Sequence, residues 1–291
     1  MIRISHRGAS YAILALTYVA AALLGVTVFF ACGQMPLYSA LLIADAAATV
    51  LVYLVGLLFG NASAYDPYWS VQPPVILTAF AVGLGRPSIW DVLLLLVIWL
   101  WGIRLTANWA YTFGGLTHED WRYRMLRKRT GKAFWLVSLL GIHMFPTLVV
   151  YACILPVVYA LFDGGAGNAL TVLGVILSLF AITLQTVSDV QMQAFRKSGR
   201  GGFIRVGLWR YARHPNYLGE ILMWWGIALA SLSLLPALMW PLCLGAAVNT
   251  AMFLFISIPM ADRRQAEKEG YALYFSETRN LIPLPSFRKE R

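Results

Sequence analysis

Charge is scarce in this chain: Asp, Glu, Lys and Arg make up 12% of its 291 residues, against about 25% in soluble domains. So few polar groups cannot cover a water-facing globule, and the 59% share of hydrophobic residues marks a membrane protein. No polar tract of domain size interrupts the apolar runs, so a separate soluble domain is excluded. Cysteine is equally sparse. Cys32, Cys153 and Cys243 are odd in number, far apart and set in apolar runs, which excludes a disulfide framework or a zinc site. Cys32, in FFACGQ, lacks the small residues a lipoprotein cleavage box needs and reads as a helix cysteine. His118 and His143 stand isolated, with no second ligand at metal spacing, so no metal is expected. The chain also lacks a G-x-G-x-x-G after a strand, which excludes a Rossmann domain.

What is present is apolar length and basic punctuation. Net charge is +10, but the cations gather in short segments at 3–7, 122–132, 196–213 and 263–291, as cytoplasmic loops do under the positive-inside rule. They therefore argue for membrane topology and against a nucleic-acid partner. A crossing helix needs about 20 mainly apolar residues. The runs 11–32, 37–60, 88–107, 133–161, 168–187, 217–235 and 238–260 qualify. The first is too long for a cleaved signal and reads as a retained span. If every basic cluster is cytoplasmic, an even number of spans separates each pair, and this requires the shorter segment 70–84 to cross as well. Pro73 and Pro74 then fall in its first turn, where missing N–H groups cost least. The expected fold is an all-α polytopic bundle of about seven to eight transmembrane helices. A ligand cavity is expected to open to the cytoplasm, and both termini to lie on that side.

The most polar stretch at the mouth of a span is GLWRYARHPNYLGE, residues 207–220. Pro215 suits the first position of a helix, with Arg213 or His214 at its cap. A helix start offers free N–H groups to anions, and Arg205, Arg210 and Arg213 lie just upstream, with Arg196, Lys197 and Arg200 before them. Taken singly, each cation reads better as a topology signal or a contact to membrane lipids than as a phosphate ligand. Asn216, Tyr217 and Glu220 are not required by either, because ionisable groups in the first turns of a span cost energy.

GLWRYARHPNYLGEILMWWGIAL resembles the C-terminal nucleotide-binding signature of the steroid 5α-reductase superfamily, specifically its bacterial branch. The resemblance extends through SDVQMQAFRKS (188–198), HEDWRYRMLR (118–127), DPYWSVQPP (66–74) and YALYFSETRNLIP (271–283), covering roughly residues 40–285. It implies an extra N-terminal helix over 1–36 and a single reductase-like membrane domain over 37–291, with the nucleotide-binding part at about 133–285. Membrane isoprenylcysteine and phospholipid methyltransferases use a similar Arg-His-Pro-x-Tyr stretch with S-adenosylmethionine, and form the competing enzyme class. Several arginines suit the phosphates of NADPH better than a sulfonium, because guanidinium pairs bidentately with phosphate.

The resemblance also implies positions for cofactor contacts. Asp189, Arg196 and Lys197 form an acidic and basic cluster after the preceding span; Asn216 and Glu220 lie near the nicotinamide and ribose; Arg263 and Tyr274 belong to a closing tail. Arg205, Arg210, Arg213, His214 and Tyr217 complete the anion-binding start, with Arg104 further upstream. Glu119 and Asp120 orient the nicotinamide or a proton path, or else, with Thr117, cap the following amphipathic helix.

The chain departs from the family pattern at the steroid site. The Gln-Glu-Leu glutamate is absent, and Trp101 falls near the expected tyrosine. Enone reduction needs a group to hold the carbonyl oxygen as charge develops. Asp66, Tyr65 and Tyr68 are the substitutes, crowding the cytoplasmic mouth of the short span, where an interfacial aromatic belt with a capping aspartate is the alternative. Asp45 is expected to pair inside the bundle, Asp91 to be solvated and Asn249 to bond between helices. The expectation is an NADPH-dependent reductase of an activated C=C bond in a lipophilic, steroid- or isoprenoid-like substrate, with a monomer sufficient for it. A membrane methyltransferase is the alternative. A transport or lipid-binding protein ranks last, because the polar candidates gather at one cytoplasmic end and not at midplane.

Overall fold

A computed structural model describes residues 6–85 and 87–284; the start of the basic N-terminal segment and the end of the basic tail lie outside them. All regular structure among the described residues is helical, apart from one parallel bridge between Ala212 and Arg279. Six helical stretches are long and apolar enough to cross a membrane: Arg7–Ala31, Leu37–Phe59, Ile89–Thr112, Trp121–Asp163, Ala169–Lys197 and Ala237–Gln265. The chain is an integral membrane protein of the all-helical class. Two shorter helices, Tyr68–Leu84 and Pro215–Leu232, lie where the sequence places its other two expected spans.

Helix α1 (Arg7–Ala31) starts where the His6 ring accepts the Ala9 N–H. Helix α2 (Leu37–Phe59) ends on Gly60, whose φ of 65° lies in the left-handed region open to glycine. Asn61 then accepts the Ser63 N–H and turns the chain through one short helical turn into α3 (Tyr68–Leu84). Because α3 begins at Tyr68, Pro73 and Pro74 fall in its second turn, one turn deeper than the sequence pattern suggests. There they leave the carbonyls of Trp69 and Ser70 without their helical N–H partners. On α4 (Ile89–Thr112), Gly102 meets that break: a Cβ there would lie 2.6 Å from the Ser70 carbonyl oxygen, so only glycine allows the two backbones so close. Helix α5 (Trp121–Thr130) leads through a short turn into α6 (Phe134–Val137), a π-helical stretch Ser138–Met144 and α7 (Phe145–Asp163).

Helix α8 (Ala169–Lys197) opens on a reciprocal cap between Asn168 and Thr171 and runs ten residues beyond the apolar segment 168–187. Helix α9 (Pro215–Leu232) packs along it through small residues. A Cβ on Gly226 would lie 2.3 Å from the Ser178 hydroxyl, and one on Gly219 2.4 Å from Gln185 Cγ, so glycine sets the close approach. Residues Ala237–Cys243, α10 (Leu244–Met252), a π-helical stretch Phe253–Ser257 and α11 (Ile258–Gln265) form one long helical rod. Helix α12 (Tyr271–Glu277) closes the described chain.

The described residues form two compact units, Met1–Pro87 with Ile98–Val158, and Ser88–Val97 with Tyr159–Arg291. In the first, Ala21, Ala48, Val52, Tyr65 and Tyr68 share a core. In the second, the α8–α9 pair carries the densest packing.

Candidate functional site

In the second unit the stretch 207–220 is a tethered turn at the start of α9. Gln191 on α8 accepts the Leu208 N–H (2.9 Å), and the Trp209 indole donates to the Ser188 carbonyl (3.0 Å). Asp262 on α11 gathers the next residues of the turn together with the tail. Arg213 donates to its two oxygens through Nε and Nη2 at 3.3 Å each, His214 Nε2 stands 2.9 Å from Oδ1, and the Tyr271 hydroxyl donates to the same oxygen. Arg213 also donates to the Thr278 and Phe275 carbonyls (2.6 and 3.1 Å) and lies over the Phe275 ring. The backbone N–H groups of Arg213 and His214 donate to the carbonyls of Arg279 and Asn280 (2.9 and 3.1 Å). These bonds strap the tail to the start of α9. Arg213 and His214, expected as cofactor contacts, are thus engaged with Asp262, which sequence reasoning does not single out. Its signal is a lone acid one residue before Arg263 at the end of a span.

Tyr274 donates to the Trp209 carbonyl (2.5 Å) and is buried, which pushes its phenol up to about 12. Arg205 donates to the Gly270 carbonyl (3.2 Å) and lies over the Phe203 ring. Arg196 and Lys197 occupy the last turn of α8, where the helix dipole favours cations. Arg196, Arg210 and Arg263 are exposed. Lys268 is exposed and donates to the Gly202 carbonyl (2.7 Å); partial desolvation, then the like charges of Arg264 and Arg196, hold its ammonium below the usual lysine range. Such crowding of cations is relieved by an anion.

At α9 itself, His214 supplies no side-chain cap and Pro215 has no N–H to offer, while the Tyr217 N–H donates to Asn216 Oδ1 (3.1 Å) and the Leu218 N–H to the His214 carbonyl (3.2 Å). The His214 ring stacks on Tyr217 (5.2 Å between centroids, 7° between planes). Asn216 Nδ2 reaches Asp189 Oδ1 at 3.4 Å. Glu220 is buried, accepting from the Trp224 indole (2.9 Å) and from Gln185 Nε2 (2.6 Å). Gln185 Oε1 is buried with no hydrogen-bond partner. Gln185, an amide in an otherwise apolar stretch of α8, is a second residue that sequence reasoning misses.

In the first unit, Asp66 accepts a hydrogen bond from the Tyr123 hydroxyl (2.5 Å), with Arg122 Nη2 at 3.7 Å. Burial pushes its carboxyl up to about 6, the Arg122 charge opposing the rise only in part. Tyr65 and Tyr68 are buried in the core, so they do not form an interfacial belt; the Tyr65 hydroxyl bonds Thr147 Oγ1 at 2.8 Å. Glu119 and Asp120 act as braces. Glu119 accepts from Arg127 (2.7 Å) and the Ala62 N–H (3.1 Å), while Asp120 itself, in place of Thr117, caps α5 by accepting the Arg122 N–H (2.9 Å). Arg104 is half-buried on α4.

Three other polar residues differ from expectation. Asp91 is buried and exchanges reciprocal cap bonds with Ser88, so it is not solvated. Asn249 is buried with its Nδ2 unbonded, so the amide donates no interhelical hydrogen bond. Asp45 has no cationic partner among the described residues, and its carboxylate oxygens make no hydrogen bond. No group of three or more His, Cys, Asp or Glu able to hold a metal occurs among the described residues.

Residues 52–278 match the family model described as "Protein of unknown function (DUF1295)". A Schizosaccharomyces pombe relative, named "Uncharacterized protein C594.04c", is 30% identical over 212 residues. That match covers 60% of this chain, and the chain spans only 60% of the relative's length. No solved structure matches.

Proposed function

Starting from this chain's membership of the DUF1295 family, we propose that it is a membrane-embedded, NADPH-dependent reductase of an activated C=C bond in a lipophilic, steroid- or isoprenoid-like substrate. It works from a bacterial inner membrane with eight spans and both termini in the cytoplasm. The observation that carries the reading is the buried Glu220–Gln185 pair with its unbonded amide oxygen, in the same unit as the start of α9 and the cations Arg196, Arg264 and Lys268.

The donor set fits a phosphorylated dinucleotide. Neighbouring cations and the dipole of a helix start serve phosphates. Gln185 Oε1, buried and lacking a donor, accepts an N–H of the kind a nicotinamide carboxamide carries. Glu220 holds the Gln185 amide in that orientation by accepting from its nitrogen. S-adenosylmethionine, with one carboxylate against two positive groups, gains little from three neighbouring cations. When bound, NADPH supplies the hydride.

The chain's own part is to hold the substrate oxygen and to move a proton. Asp66, pushed up to about 6, is protonated in roughly a tenth of molecules at pH 7, and Tyr123 hydrogen-bonds its ionised form. It is the proton donor in this reading. Arg213, His214 and Tyr274 position the tail and make no phosphate contact.

Titration of the protein in lipid nanodiscs with NADPH and with S-adenosylmethionine tests the reading. NADPH should bind, and Arg196→Ala with Lys268→Ala should weaken it at least tenfold. Binding of S-adenosylmethionine alone overturns it.

A further inference from the structure

Most of the polar candidates lie at helix ends and loops, but a second set is buried along the spans of the first unit. Asp45 and Thr49 stand one turn apart on α2, and Tyr68 and Gln72 one turn apart on α3, so each pair shares a helix face. The pairs meet: Asp45 has the Gln72 amide beside it, and Tyr68 reaches Thr49. Thr49 bonds Thr147 on α7 (3.1 Å), which bonds Tyr65 (2.8 Å). All six are buried, Asp45 at 3% exposure and Gln72 at 5%.

The hydroxyls of Thr49, Thr147 and Tyr65 satisfy one another. Asp45 and Gln72 stand close enough to interact, yet neither carboxylate oxygen and neither polar atom of the amide finds a hydrogen bond of proper geometry, and all four are buried. Asp45 lies about 12 Å along α2 from its start at 1.5 Å per residue, well inside the span. Each unbonded buried polar atom costs on the order of 1–3 kcal/mol, and a packed aliphatic pair would remove that cost. Polar groups left unsatisfied inside a span point to a functional site. Four polar atoms, two of them able to accept and one able to donate whatever the charge state of Asp45, match a single uncharged oxygen at one end of an apolar molecule.

We propose that Asp45 and Gln72 form an oxygen-recognition site within the membrane, holding the carbonyl or hydroxyl of the lipophilic molecule on which the protein acts. Gln72 donates to that oxygen, and Asp45 accepts a hydrogen bond from a hydroxyl or, when protonated, donates one to a carbonyl. Only the word substrate rests on the reductase reading; the recognition itself does not.

The test is photolabelling in nanodiscs, without any nicotinamide dinucleotide, using diazirine-bearing hexadecan-2-one, hexadecan-2-ol and hexadecane. Peptides spanning α2 and α3 should be labelled by the ketone, the alcohol or both at least tenfold more than by the hydrocarbon. Asp45→Leu and Gln72→Leu should each lower that labelling to the hydrocarbon level, and Asp45→Asn should keep it. Equal labelling by all three probes, or no change in the leucine variants, overturns the proposal. Folding is read separately: Asp45→Leu should melt at or above the wild-type temperature, and a fall of more than about 3 °C would make Asp45 a structural residue. Because no cofactor is present, NADPH titration of the same preparation can fail while labelling holds, and the reverse.

Discussion

Removing the carboxylate of Asp262 should release the tail from α9. In Asp262→Ala, Arg213 loses both carboxylate contacts, His214 and Tyr271 lose their shared acceptor, and Arg213 keeps only the Phe275 and Thr278 carbonyls. Side-chain exposures of 9% for Arg213 and 12% for Asp262 make this a buried pair, for which removal of one partner costs about 3–5 kcal/mol. The retained carbonyl bonds offset part of that, leaving about 2–3 kcal/mol, or roughly 30- to 150-fold in the opening equilibrium at about 1.4 kcal/mol per decade. Hydrogen exchange reads this directly, because the Arg213 and His214 amides are closed by Arg279 and Asn280. Both amides should exchange faster by that factor, while amides in the middle of α8 stay unchanged. Asp262→Asn, which keeps an acceptor oxygen without the charge, should fall between. Exchange at both amides within threefold of wild type in Asp262→Ala would refute the idea that Asp262 holds the tail.

Other contacts give further expected outcomes. Gly102→Ala, whose Cβ would lie 2.6 Å from the Ser70 carbonyl oxygen, should destabilise by about 1–3 kcal/mol. Gly83→Ala, with nothing within 4 Å, should be neutral or stabilising by up to about 1 kcal/mol; thermal melts in detergent compare the two. The raised Asp66 carboxyl makes the folded state bind more protons than the unfolded chain between the ordinary aspartate value and about 6. Stability should therefore fall as pH rises through that window, by up to about 3 kcal/mol, and Asp66→Asn should flatten the slope in denaturant titrations at pH 4 and pH 7. In the proposed reaction Asp66→Asn should also lose turnover with NADPH affinity kept within threefold, measured by cofactor titration beside substrate reduction. Glu220→Gln turns an amide NH2 toward the Trp224 or Gln185 donor and should weaken NADPH binding at least tenfold, read by titration together with the Trp224 fluorescence.

Helices were legible where apolar length or a turn residue sets them. The α2 bounds follow from Pro36 and Gly60, and α9 starts at Pro215 as its fixed φ requires. Where helix propensity outlasts apolarity the sequence misleads: α8 continues through SDVQMQAFRK because those residues form helix well, and stops only before Gly199 at φ 65°. Candidate polar residues were legible by type and position, as with the acid at 220 and the cations in the last turn of α8. Partnership was not. Asp262 meets Arg213 across 49 positions and Gln185 meets Glu220 across 35, and no local period carries such pairings. Asp45 looked like half of an ion pair because a buried charge ordinarily needs one; its lack of a partner is a property of packing alone.

The π-helical stretch Ser138–Met144 has a consequence for how this chain tolerates change in length. Each π turn holds one more residue than an α-turn, so the stretch sets a rotational offset between α6 and α7. Deleting one residue there would let an unbroken α-helix form, at no cost in hydrogen bonds, and would swing everything beyond by about 100°. Thr147 would leave both Thr49 and Tyr65, and the His143 ring would lose the Ser138 carbonyl it now touches at 2.8 Å. The irregularity thus works as a phase marker: one residue of surplus keeps the hydroxyl row in step.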